Sequence, residues 1–348
     1  MIVGDLDLFL IELPASDGAL RTLLLRVGSE SGAEGWGETR KNWHPGELPA
    51  RRKGLLAVLA GREIHDIESI MTLDVLADHE LACAVEMALW DLVAQSARQP
   101  LCHLLGGGYR QSVPLAVRLP AGPPESVAHW ARVFSAQAIA SQTIRSTGSP
   151  DADLKLVSAL REACSDRVQF RFDAHRQYPW RVAARLCAQL EPGSVEYVLD
   201  PVSDGQLDLL AGVRASARVP LAAFEIVRRP GDVMQLARAG AVACVLVDPV
   251  LVGGLAAARR CAAVADAGGM AAGIRIDGTS GLALAATLQL AAATPSFAGG
   301  HECSYPKLHD DILAEPLRMV DGMLAVPMAP GLGVQVDRDK VDWYQVGA

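Results

Sequence analysis

The run VACVLVDPVLVGGLAAARRCAAVADAGGMAAGIRI, residues 242–276, decides the fold. Val242–Val247 is almost wholly apolar, as a strand buried on both faces is. Leu255–Ala267 then repeats small apolar residues at helical spacing, and a second apolar strand begins near Met270. Strand, helix and strand in this order ask for a crossover between parallel strands. The unit recurs in both directions. Candidate strands begin near Val113, Ser141, Val168, Val195, Pro220, Val242, Met270 and Ala298, spaced 22 to 28 residues apart. Helical stretches lie between them at Glu125–Ala140, Asp153–Ala163, Trp180–Leu190, Leu207–Ala215, Asp232–Ala239, Leu255–Ala267 and Gly281–Ala293. Eight such units predict an α/β chain with a (β/α)8 barrel rather than an open sheet.

The first 110 residues read differently. Leu6–Ile11 and Leu20–Val27 form strands around a turn at Ser16-Asp17-Gly18, and Leu55–Ala60 and Leu81–Ala97 form helices. Gly106-Gly107-Gly108 marks a break. No GxGxxG or GKS/GKT follows it, and nothing asks for an organic cofactor. The last forty residues, with Pro327, Pro330, Gly331 and Gly333, read as a loop-rich return segment.

Composition narrows the classes. Half of the 348 residues are hydrophobic but only 5% are aromatic, so Ala, Leu and Val supply the core. A formal charge of −8 argues against a nucleic-acid or anionic-membrane surface. No apolar run reaches the roughly 20 residues of a membrane helix. Met1–Leu10 carries Asp5 and Asp7 without a basic flank, so no secretory signal is expected. The seven cysteines include no CxxC and read as free thiols in a reducing cytoplasm.

In a barrel of this kind the chemistry sits where the strands end. Strand-end residues of inward parity are Thr143, Arg145, Asp173, Leu199, Glu225, Asp248, Arg275 or Ile276, and Glu302, with His175 just past Asp173 and Asp200 just past Leu199. Each acid alone could cap a helix or pair with a base. Four acids on separate strands, Asp173, Glu225, Asp248 and Glu302, point to a site.

The ordered motifs Gly35-Trp36-Gly37-Glu38, Ala88-Leu89-Trp90-Asp91-Leu92, Gln99-Pro100-Leu101, Leu104-Leu105-Gly106-Gly107, Phe172-Asp173-Ala174, Val252-Gly253-Gly254, Asp310-Asp311-Ile312 and Pro330-Gly331-Leu332-Gly333-Val334 span nearly the whole chain. With them the chain resembles the mandelate racemase and muconate lactonizing enzyme branch of the enolase superfamily. The resemblance implies an N-terminal α+β capping domain over residues 1–110 and a modified TIM-type barrel over 111–310. It implies that a C-terminal segment, 311–348, returns to the cap, and that the loop around Ala15–Ala19 is a short substrate-covering loop. It also implies removal of a proton next to a substrate carboxylate, with Mg²⁺ holding the enediolate, and association into homo-oligomers.

The residues depart from that pattern. The resemblance makes Asp173 and Glu225 the first and third metal ligands. Leu199 stands at the second, with Asp200 one residue on as a substitute if a bulge turns it inward. Thr143-Ile144-Arg145 replaces the two lysines of the second barrel strand, and arginine holds its proton too firmly to be a base. The seventh strand ends in Arg275 or Ile276 instead of histidine, while Asp248 and Glu302 are kept. His175 replaces an asparagine and is the remaining proton-transfer candidate, with an ordinary pKa of about 6.5; its other reading is a plain hydrogen-bonded histidine. The N–H groups of Gly278-Thr279-Ser280-Gly281 could receive an anion, or form a plain turn.

Two outcomes stay open for the ion: Mg²⁺ on Asp173 and Glu225 with waters, or Arg145 bridging these two carboxylates in its place. Two functions stay open with it. One is an isomerase, racemase or lyase acting by α-proton chemistry on a small carboxylate, with Arg145, His175, Asp248, Arg275 and Glu302 as its candidate catalytic residues. The other is a repurposed barrel binding a carboxylate through Thr143, Arg145 and Arg275 without metal.

Overall fold

The computed structural model describes every residue except Asp17 and Ala348. The turn expected at Ser16-Asp17-Gly18 therefore centres on a position outside the described residues. On either side of it, β1 (Val3–Ala15) and β2 (Gly18–Ser29) pair antiparallel, and β2 pairs β3 (Glu34–Thr39). Both strands run past the expected limits because the ladder continues from Val3–Ser29 to Ala15–Gly18. Helices α1 (Leu48–Leu59), α2 (Ile67–Ile70), α3 (His79–Ser96) and α4 (Leu101–Leu104) complete the cap. Asp78 starts α3 by accepting from the N–H groups of Glu80 and Leu81.

The glycines of the Gly35-Trp36-Gly37-Glu38 motif let β3 lie directly on α3. A Cβ on Gly35 would come 2.1 Å from the Ala88 carbonyl oxygen, and one on Gly37 would come 1.9 Å from that of Ala84. The polar residues of these motifs tie layers together. Asp91 accepts from the N–H groups of Trp36 and Leu332. Buried Glu86 accepts from Leu255 and Ala256 N–H at a helix start in the barrel.

The barrel alternates β4 (Ser112–Arg118), α5 (Pro124–Ala136), β5 (Ser141–Arg145), α6 (Pro150–Ala163), β6 (Gln169–Asp173), α7 (Trp180–Gln189), β7 (Tyr197–Leu199), α8 (Leu207–Ser216), β8 (Leu221–Ala223), α9 (Pro230–Ala239) and β9 (Cys244–Val247). A short α10 (Pro249–Val252) follows, then α11 (Leu255–Ala267), β10 (Ala271–Ile276), α12 (Gly281–Ala293) and β11 (His301–Cys303). Neighbouring strands are parallel, and β11 pairs β4 to close the ring. Every residue of α12 is buried, which explains its run of Ala and Leu.

Two apolar layers result. The large one fills the space between strands and helices. A small one, Tyr197, Leu199, Ala222, Phe224 and Leu246, lies on the opposite strand face, inside the barrel.

The tail is more ordered than its Pro and Gly content suggests. β12 (Met319–Val320) and β13 (Met323–Ala325) form a hairpin that pairs antiparallel with β4, and α13 (Arg338–Tyr344) is capped by Asp337. Gln345 bridges Ile11, and Val346 N–H donates to the Leu10 carbonyl of the cap. The seven cysteines are free thiols, and no helix among the described residues is long and apolar enough to cross a membrane.

Candidate functional site

Strand register fixes which side chains face the barrel axis. Residues paired across parallel strands point to the same face. Arg118 pairs Thr143, Arg145 pairs Asp173, Asp173 pairs Leu199, Leu199 pairs Ala222, and Arg275 pairs Glu302. Continuing by twos, the inner face at the mouth carries Arg118, Thr143, Arg145, Asp173, Leu199, Phe224, Asp248, Arg275 and Glu302.

One correction follows, and one open alternative closes. The strand after Pro220 presents Phe224 inward, not Glu225. Glu225 is half-buried, its own N–H donates to Asp200, and its carboxylate accepts from Arg228 at 3.2 Å. At the seventh barrel strand, Arg275 faces the mouth, while Ile276 belongs to the outer core.

Arg275 is the centre of the mouth. Its Nη2 lies 3.0 Å from Asp173, and its Nε lies 3.3 Å from both Glu302 and Asp277. Its guanidinium sits 4.6 Å over the Phe224 ring. Burial works against its charge, but Glu302, Asp173 and Asp277 outweigh this and raise its pKa, so it stays protonated. Arg118 Nη2 lies 2.5 Å from Asp277 and 3.0 Å from Glu302, and its buried Nε has no partner among the described residues. Glu302 also accepts from the Thr143 hydroxyl. Burial would raise Glu302, yet Arg275 and Arg118 hold it below the usual carboxylate range.

The other expected residues are placed as follows. Arg145 shares the face of Asp173 but stands half-buried at the rim, and no ion pair joins it to Asp173 or Glu225 among the described residues. The bridge expected of it is made to Asp173 by Arg275 instead, because Arg275 reaches from the opposite wall of the barrel. Asp200 does turn, at φ 45°, but its two oxygens accept from the N–H groups of Phe224 and Glu225, 3.0 Å each. It is a brace between strand ends, and burial pushes it up to about 6. His175 donates its backbone N–H to Asp173 at 3.0 Å, with an exposed side chain and a left-handed φ of 48°. Asp248 caps α10 through Val250 N–H and pairs at 2.8 Å with Arg40 of the cap. The anion at Ser280 is Glu38 of the cap, which accepts from Ser280 N–H, Ser280 hydroxyl and Ala283 N–H.

Sequence reasoning missed Arg118, Phe224, Arg40 and Asp277. The same count by twos along Ser112–Arg118 finds Arg118. Arg40 and Asp277 lie in loops, where no periodicity speaks.

Above this network lies a cavity of about 370 Å³. Ala15, Ala19, Leu20 and Arg21 of the cap close one side; Arg118, Asp277, Gly278, Ser304 and Lys307 line the other. Three of its walls' charges are basic and one is acidic. Ser16 ties the cap to the barrel, donating its N–H and hydroxyl to the Lys307 carbonyl. A larger cleft of about 1040 Å³ lies between β3, α3 and the C-terminal segment, away from the strand ends.

The donor set does not suit a divalent cation. Among the described residues no three His, Cys, Asp or Glu side chains converge as metal ligands. Both Asp173 oxygens are engaged, and Leu199 and Phe224 are apolar.

Residues 16–106 match the mandelate racemase / muconate lactonizing enzyme N-terminal domain, and residues 125–340 match the enolase C-terminal domain-like family. The chain belongs to the mandelate racemase and muconate lactonizing enzyme branch of the enolase superfamily. It is 31% identical to muconate cycloisomerase 1 of Rhodococcus opacus over 92% of this chain and 89% of that one. It is 26% identical to D-galactarolactone cycloisomerase of Agrobacterium fabrum over 93% and 91%. Among solved structures, a Streptomyces coelicolor enolase described as a putative sugar isomerase superimposes with a TM-score of 0.90 at 28% identity, covering 99% and 96% of the two chains. 2-Chloromuconate cycloisomerase of Rhodococcus opacus 1CP gives 0.89 at 26%, covering 99% of each. The cap and closed barrel are thus those of this superfamily.

Proposed function

We propose that this cycloisomerase-family barrel takes a small carboxylate into the 370 Å³ cavity between cap and barrel, with Arg118 as its main contact. The observation that carries this is a cavity between cap and barrel whose charged walls are Arg21, Arg118 and Lys307 against one acid, Asp277. A guanidinium fork suits a carboxylate. The strand ends supply binding more readily than proton transfer: Thr143 and Arg145 stand on the second barrel strand, and Arg275 on the seventh keeps its proton. A thermal-shift panel of small mono- and dicarboxylates tests the reading. A ligand at a hundred times its Kd stabilises by about 2.7 kcal/mol. A shift of that order that vanishes in Arg118→Met supports the reading; no shift across the panel overturns it.

A second reading, an isomerase or lyase acting next to the carboxylate, is favoured by the 31% identity to a muconate cycloisomerase over nine-tenths of the chain. His175 and Asp248 would be its proton carriers. Incubation of the same panel in deuterated water separates the two: α-deuterium uptake that Asp248→Asn reduces establishes the enzyme, and none leaves the binding protein. Free thiols and net acidity fit a cytoplasmic protein that does not bind nucleic acid.

A further inference from the structure

We infer that the guanidinium of Arg275 is the resident cation of this mouth and that the mouth takes no divalent ion. The inference deepens the proposed carboxylate site and rests on that reading for the place of the chemistry. Three carboxylates, Asp173, Asp277 and Glu302, surround one guanidinium at 3.0 to 3.3 Å. The group is buried on every side, with Phe224 beneath it at 4.6 Å.

The neighbouring positions are closed to an ion. Leu199 and Phe224 offer no donor, and Asp200 spends both oxygens on backbone N–H groups. The remaining acid, Asp173, gives one oxygen to His175 N–H and the other to Arg275. A dication at Asp173 would stand beside a fixed, buried positive charge, and like charges repel more strongly there than in water. Arg275 cannot answer by losing its proton, because its three carboxylates hold it.

The arrangement differs from a metal in one useful respect. An ion leaves when chelated, whereas a side chain from β10 does not. The positive charge at the mouth is therefore permanent, and it is spent on Asp173, Asp277 and Glu302 rather than on an open coordination shell.

The test is a Mn²⁺ titration of the full chain, followed by calorimetry and by the electron spin resonance signal of the free ion. The wild type is expected to show no saturable binding at the mouth. Arg275→Gln, checked for folding by circular dichroism, removes the charge and frees the Asp173 oxygen that it held, so it should bind Mn²⁺ saturably, at least about tenfold more tightly than any residual binding to the wild type. Saturable binding to the wild type that Asp173→Asn abolishes overturns the proposal, as does a folded Arg275→Gln that gains nothing. Wild-type binding that Asp173→Asn leaves unchanged lies elsewhere and agrees with it. Should Arg275→Gln not fold, the wild-type and Asp173→Asn titrations still decide. No carboxylate enters the assay, so failure of the ligand reading leaves its outcome untouched.

Discussion

Replacing Glu302 by Gln removes one charge from the mouth and keeps its shape. Glu302 is 1% exposed, accepts from Arg118 at 3.0 Å and from the Thr143 hydroxyl, and forms an ion pair with Arg275 at 3.3 Å. Breaking a buried ion pair costs about 3–5 kcal/mol, because the surviving charge is left unpaired. Here Arg275 keeps Asp173 and Arg118 keeps Asp277, so the lower end, about 3 kcal/mol, applies. An unfolding entropy of about 2.1 cal/mol/K per residue across 348 residues turns that into a fall of roughly 4 °C in Tm. The pH dependence follows from the lowered pKa of Glu302, set by Arg275 and Arg118 against burial. A carboxylate held below its ordinary 4.5 stabilises the fold above that value and loses the contribution as pH falls through its folded pKa. Scanning calorimetry of Glu302→Gln should therefore show a constant deficit above about pH 5 that narrows in more acidic buffer. A shift under about 1 °C at neutral pH, or a deficit that widens with acid, would refute the network as drawn.

Asp248 gives the opposite sign. Burial pushes it up to about 6 although Arg40 and Val250 N–H favour its charge. Its contribution is present below about pH 4 and is lost as pH rises through 6, so wild type relative to Asp248→Asn should lose about 3 kcal/mol between pH 4 and 7 by denaturant titration. A pH-independent difference speaks against the buried charge. Gly37→Ala places a methyl 1.9 Å from the Ala84 carbonyl and should cost at least about 1–3 kcal/mol by the same assay. An unchanged midpoint would mean that β3 and α3 are not in close contact.

The barrel was legible because alternating apolar strands and small-residue helices leave a period, and Val242–Val247 with Leu255–Ala267 shows it most clearly. Strand ends were legible only to within one residue. Five residues of apolar sequence from Pro220 admit either parity, and Glu225 drew the choice because it is an acid; the ladder from Leu199 to Ala222 makes Phe224 the inward residue. Long charged side chains were harder still. Arg145 and Arg275 both face the mouth, and only three-dimensional reach decides that Arg275 meets Asp173. Arg40 finds Asp248 across more than two hundred residues of sequence, from cap to barrel, a pairing that no local pattern announces. The motifs Gly35-Trp36-Gly37-Glu38 and Ala88-Leu89-Trp90-Asp91-Leu92 identified the family, yet their polar members Glu38 and Asp91 hold layers together and do no chemistry at the mouth.

A crystal structure grown with Mg²⁺ and a small dicarboxylate tests the central claim most directly. The account predicts the Arg275 guanidinium between Asp173 and Glu302, and ligand carboxylate oxygens against Arg118 in the cavity beneath the cap. An octahedral ion bound to Asp173, with Arg275 swung away from it, would contradict the account.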